Sequence, residues 1–150
     1  MLMDRLAQTA LKNQRKGAIG YMIKTYVIDT NVLIQAPYAI ECFEENNLVL
    51  PLVVLEELDG LKKAEGEKGA NARAAVRKLE SYRQKGDLLQ GVKLPGDGIL
   101  RIEKNFVQVE LPQDIPDDKP DNRILKVCKG LAETEKEGQV ILVTKDIVLR

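Results

Sequence analysis

The sequence predicts an α/β domain built around a parallel sheet, on three observations. Tyr26-Val27-Ile28 and Val140-Ile141-Leu142-Val143 are apolar runs without alternation, the pattern of strands covered on both faces. Helical apolar periodicities lie between the predicted strands, and strands separated by helices return to one sheet through crossovers. The length of 150 residues suits one domain with a sizeable core and leaves no room for a second of ordinary size.

The elements follow in order. Residues 1–21 carry a loose helical stripe, Leu2, Leu6, Leu11 and Ala18, interrupted at Lys16-Gly17 and Ile19-Gly20. The folded domain is therefore expected to span 22–150. Residues 1–21 are then an N-terminal basic extension, either an upstream addition from a misplaced start codon or an accessory helix. Tyr26-Val27-Ile28 is the first strand; Asp29-Thr30-Asn31 ends it, and Val32-Leu33-Ile34 starts a helix. Leu48-Val49-Leu50 is the next strand, and Pro51 suits the first position of the helix that follows. Leu52, Leu55, Leu58 and Leu61 mark that helix's apolar face to about Lys63.

Gly66 and Gly69 predict a loop before a helix over 70–85, with Ala70, Ala74, Leu79 and Tyr82 inward and Gly86 as its C-terminal cap. Pro95-Gly96-Asp97-Gly98 turns between Val92/Leu94 and Leu100/Ile102, which predicts a β-hairpin inserted within 92–109. Residues 110–122 are rich in Pro and Asp and read as irregular. A helix is expected from about Asp121 to Lys136, with Ile124, Leu125, Cys128 and Leu131 inward and Gly138 after its end. Val140–Val143 closes the sheet, followed by Thr144-Lys145-Asp146.

Composition narrows the chemistry. The chain contains no histidine, which removes Ser-His-Asp and Cys-His catalysis and histidine-based zinc sites. Cys42 and Cys128 lack metal-site spacing and read as reduced, partly buried thiols. The 23 basic and 23 acidic residues cancel. Residues 1–24 hold Arg5, Lys12, Arg15, Lys16 and Lys24 against Asp4, a net of +4, so residues 25–150 carry −4. Strong passive binding to phosphate is not expected of such a chain. No run approaches the ~18 apolar residues of a membrane span, and no secretory signal opens the sequence. The expectation is a cytoplasmic domain with no membrane contact.

Sites in open parallel sheets lie beyond the carboxyl ends of the strands. Asp29 and Asp146 follow the two unbroken apolar strands, Glu57 lies early in the helix leaving the second strand, and Asp121 opens the helix feeding the last. Taken alone, Asp121 reads more readily as a helix cap and Glu57 as one of a surface pair with Glu56. Asp29 is harder to place on a surface, because apolar runs bracket it. Two carboxylates ~5 Å apart repel by roughly 3 kcal/mol at an effective dielectric of ~20. Four of them would consume much of a domain's stability, on the order of 5–15 kcal/mol, without protons or a cation. A hard divalent ion, Mg²⁺ or Mn²⁺, suits oxygen ligands and supplies an acidified water without histidine.

These segments resemble the motifs of the PIN domains, Mg²⁺/Mn²⁺-dependent ribonucleases with a three-layer α/β/α sandwich. Tyr-Val-Ile-Asp29-Thr-Asn-Val-Leu-Ile is similar to the first motif and Leu-Glu-Glu57-Leu-Asp to the second. Lys-Pro-Asp121-Asn-Arg-Ile-Leu is similar to the third and Val-Thr-Lys-Asp146-Ile to the fourth. The resemblance covers 22–150 and is greatest to PIN domains fused ahead of a PhoH-like ATPase. It implies that Asp29, Glu57, Asp121 and Asp146 are catalytic and hold one or two ions, with Asn31 and Thr144 orienting them. Asp29 is the first candidate to contact the attacking water. Arg123 and Lys145 flank the site as candidates for an RNA phosphate, although a solvated surface charge explains each equally well.

The resemblance further implies endonucleolytic cleavage of RNA, single-stranded by preference, and an ATPase domain outside this chain. The family continues beyond the fourth acid, whereas Arg150 follows Asp146 by four positions, so a C-terminally truncated domain is expected. No phosphate-loop motif occurs. The alternative is a catalytically weak RNA-binding or regulatory module of the larger ATPase, and a homo-oligomer is open on either reading. A receiver-type phospho-acceptor domain would need a paired acid at the first strand end, and Thr30-Asn31 offers none.

Overall fold

Thr25–Ile28 forms β1, with all four residues buried. It is an interior strand of a five-stranded sheet. The computed structural model describes residues 23–104, 111, 120–134 and 139–144. Residues 1–21, most of the Pro- and Asp-rich 110–122 stretch, Gly138, Lys145 and Asp146 lie outside that set.

β1 is followed by α1 (Thr30–Gln35) and a 3₁₀ turn (Pro37–Glu41), then β2 (Asn47–Pro51), α2 (Leu52–Leu61) and α3 (Gly66–Arg83). β3 (Val92–Lys93) and β4 (Ile99–Glu103) form a hairpin, and α4 (Pro120–Thr134) leads to β5 (Val140–Val143). β1 pairs in parallel with β2 and β5, and β4 pairs in parallel with β2. In the strand order β3-β4-β2-β1-β5, β3 alone among the described strands is antiparallel to its neighbour. The hairpin is therefore no appendage, because its second strand is a full member of the central sheet. This is the mixed α/β architecture expected from the sequence.

The chain steps outward from β1 to β2 to β4, then reverses to β5 on the far side of β1. Right-handed crossovers then put α1, α2 and α3 on one face and α4 on the other. Ile28, Leu33, Ile40, Phe43, Leu48, Leu50, Leu58, Leu100, Ile124 and Leu131 form the fully buried core. Tyr26 stacks on Phe43 with ring centroids 4.8 Å apart, and its buried hydroxyl finds no hydrogen-bond partner among the described residues.

Several local expectations need correction. Pro51 ends β2 and is the N-cap of α2, one position before the expected place. The Leu52-Leu55-Leu58-Leu61 stripe is not the buried face: Val53, Val54 and Leu58 are buried, while Leu52 is 38% exposed. A spacing of three drifts around a helix with 3.6 residues per turn, so such a stripe cannot hold one face.

Gly66 and Gly69 do not form a loop but belong to the first turn of α3. A Cβ on Gly69 would lie 1.7 Å from the Ala64 carbonyl oxygen, so glycine there permits the close junction of α2 and α3. The inward face of α3 is Ala72, Ala75, Leu79 and Tyr82; Ala70 is exposed and Ala74 half-buried. Gln84, not Gly86, caps its C-terminus. On α4, Ile124, Val127 and Leu131 are buried, whereas Leu125 and Cys128 are only half-buried. Burial still pushes the Cys128 thiol up to about 12.

Candidate active site at the strand ends

The reversal of strand order falls between β1 and β5, and at such a switch point the strand ends open a crevice. Asp29 and Thr144 occupy it as the residues immediately after those strands. The Asp29 N–H donates to the Val143 carbonyl at 3.1 Å, extending the sheet by one rung. Asp29 then leaves the strand conformation and serves as the N-cap of α1, its Oδ1 accepting the Asn31 N–H at 3.0 Å. The Thr144 hydroxyl donates to Oδ2 at 2.7 Å. Each carboxylate oxygen is thus fixed by one donor, and the residue is only 1% exposed.

Thr30 continues the arrangement onto another element. Its hydroxyl donates to Oε1 of Glu57 at 2.7 Å, across 27 positions of sequence. Glu57 lies midway along α2 and is half-buried. Its neighbour Glu56 points outward and forms an ion pair with Arg123 of α4 at 3.3 Å. Two hydrogen bonds, Thr144 to Asp29 and Thr30 to Glu57, are therefore connected by the peptide bond between Asp29 and Thr30. They join β5, β1 and α2 beyond the sheet edge, and the Glu56–Arg123 pair brings the start of α4 beside α2.

Asp121 is the second residue of α4, so its backbone stands in the same first turn as Arg123. Asp146 and Lys145 lie outside the described residues. Asn31 contributes its backbone N–H to Asp29. Arg123 forms an exposed ion pair with Glu56. The role of the Thr30 hydroxyl has no signal in the sequence beyond its place directly after Asp29, because its partner lies 27 positions away.

No lysine or arginine pairs with the buried Asp29 among the described residues. A carboxylate buried without a cationic partner calls for one. The donors brought together are carboxylate and hydroxyl oxygens only, a set that fits a hard divalent ion rather than a soft one. Among the described residues there is no group of three or more His, Cys, Asp or Glu able to share an ion. Asp29 and Glu57 are each hydrogen-bonded to a residue at the start of α1.

This chain belongs to the PIN domain family, whose model matches residues 26–150. Its relatives include a protein named PhoH2 from Bacillus subtilis, 48% identical over 134 residues that make up 86% of this chain and 30% of that protein. A protein of the same name from Mycolicibacterium smegmatis is 40% identical over 131 residues, 85% of this chain and 29% of that protein. The chain spans less than a third of the length of these curated relatives, in keeping with a PIN domain fused to a PhoH-like ATPase.

Proposed function

We propose that the chain is a divalent-metal-dependent endoribonuclease domain that hydrolyses phosphodiesters of single-stranded RNA. The observation that carries this reading is the buried Asp29 carboxylate at the switch point, clamped through both oxygens, with the adjacent Thr30 hydrogen-bonded to Glu57. Asp29 and Glu57, with Asp121 and Asp146 from the resembling motifs, would hold Mg²⁺ or Mn²⁺. When bound, the ion supplies an acidified water and neutralises charge developing on the phosphate. Thr144 and the Asn31 N–H keep Asp29 from rotating, so that it orients the attacking water. The water oxygen forms the new P–O bond as the ester P–O bond breaks, and the water's proton is lost while the departing oxygen gains one.

The proposal places the domain in the cytoplasm, serving an ATPase outside these residues. No helix among the described residues is long and apolar enough to cross a membrane. The second reading is a catalytically weak RNA-binding or regulatory module; the net charge of zero and the engagement of Arg123 by Glu56 favour it. Calorimetric titration of Mn²⁺ into the wild-type chain and Asp29→Asn, followed by cleavage of a single-stranded RNA, tests the choice. The nuclease reading expects saturable binding and cleavage, both lost in the variant. Metal-independent RNA binding without cleavage would establish the module instead.

A further inference from the structure

We infer that Thr30 is a positioning residue of the metal site, setting the orientation of the Glu57 carboxylate before any ion arrives. This inference rests on the metal-site reading above and adds a part to it that neither the family match nor the relatives assign.

Thr30 is 3% exposed, so its hydroxyl cannot turn to bulk water for a partner. It donates to Oε1 of Glu57 at 2.7 Å, the usual length of an O–H···O bond. Thr30 is also the first residue of α1, directly after the cap at Asp29. The two hydrogen bonds to the Asp29 carboxylate fix that cap, and the cap fixes the direction of the next residue. β-branching then restricts Thr30 at χ1, so its hydroxyl meets α2 from a set direction. Glutamate has three side-chain torsions, and an unrestrained Glu57 would lose their freedom on binding an ion. The Thr30 hydroxyl removes part of that loss in advance, which is how partners behind a ligand raise metal affinity.

The test is Mn²⁺ affinity, measured calorimetrically on the full 150-residue chain. Thr30→Ser keeps the hydroxyl and loses the methyl; Thr30→Ala loses both. The difference between these two variants isolates the hydroxyl even where packing suffers in both, and circular dichroism melts without metal report that packing separately. Thr30→Ala should bind Mn²⁺ roughly 10-fold more weakly than Thr30→Ser, with Thr30→Ser near wild type. Glu57→Gln is the control for the site itself. Weakened binding in Glu57→Gln together with equal affinities for Thr30→Ala and Thr30→Ser would overturn the positioning role and leave the metal site standing. Wild-type-like binding in Glu57→Gln, or no binding in the wild type, would overturn the metal-site reading and the role of Thr30 with it.

Discussion

Asp29 does two jobs that pull in opposite directions. As an N-cap it stabilises α1 by on the order of 1 kcal/mol, and as a buried carboxylate it costs stability while no cation is present. The substitution Asp29→Asn separates these effects, because asparagine caps a helix about as well as aspartate. The Thr144 hydroxyl can reverse its role and accept from the new amide, so neither bond to the side chain need be lost. In metal-free buffer Asp29→Asn should therefore melt higher than wild type. A gain on the order of 1 kcal/mol corresponds to a shift of about 2–4 °C for a chain of this size. With Mn²⁺ present the order should reverse, since only the wild type gains from the ion. A metal-free Asp29→Asn chain that melts lower than wild type would mean that the carboxylate is stabilising in its own right.

At the scale of elements, the strands were legible in the sequence and the helix faces less so. Unbroken apolar runs of β-branched residues identify β1 directly, because a strand covered on both faces has no other pattern available. The faces of α2 and α3 were misread for different reasons. Four leucines at a spacing of three masked the Val53, Val54 and Leu58 face, and the alanines of α3 carry no hydrophobic contrast to distinguish Ala70 from Ala72. The start of α3 was misread because glycine is a poor helix former, whereas Gly69 is required by the Ala64 carbonyl beside it. Asp29 and Glu57 could be read as candidates from their place after strands. The Thr30 bond to Glu57 could not, since a side-chain contact across 27 positions depends on packing.

Two predictions belong to α3. On propensity alone Gly69→Ala would stabilise a helix by about 1 kcal/mol. The clash with a backbone oxygen reverses that sign, and a loss of about 1–3 kcal/mol is expected, seen as a lowered midpoint in urea unfolding. The second concerns the tie from α3 to the 3₁₀ turn. The Tyr82 hydroxyl donates to Oε1 of Glu41 at 3.0 Å, and Lys78 pairs with the same oxygen. Burial first, and then the bond to Glu41, push the Tyr82 phenol up to about 12 from an ordinary 10.0. A raised folded-state value means the tie's contribution is full below pH 10.0 and is lost as the pH rises toward 12. Stability measured by denaturant titration should fall through that window in the wild type. Tyr82→Phe should lessen the fall above pH 10, leaving the contributions of Cys128, which begins near its ordinary 9.0, and of Tyr26, whose phenol is also raised by burial.

For the whole molecule, charge decides how it can meet RNA. Residues 25–150 carry a net of −4 against +4 in residues 1–24, and the site proposed above gathers some of those carboxylates where a phosphate must approach. RNA binding that relied on lysine and arginine alone would need a basic surface, which the α/β body lacks on balance. Some described basic groups are also committed to acids, as in Arg123–Glu56, Lys78–Glu41 and Lys62–Asp59. The ion must then bridge protein and RNA as well as assist hydrolysis, which makes binding and not only cleavage metal-dependent. In a gel-shift titration with single-stranded RNA, the chain should retain RNA in Ca²⁺, taken as a non-supporting ion for cleavage, and release it in EDTA. The same dependence should weaken in Asp29→Asn. Retention of RNA in EDTA at unchanged affinity would locate the binding surface away from the strand ends, and the basic extension of residues 1–21 would be the first segment to delete.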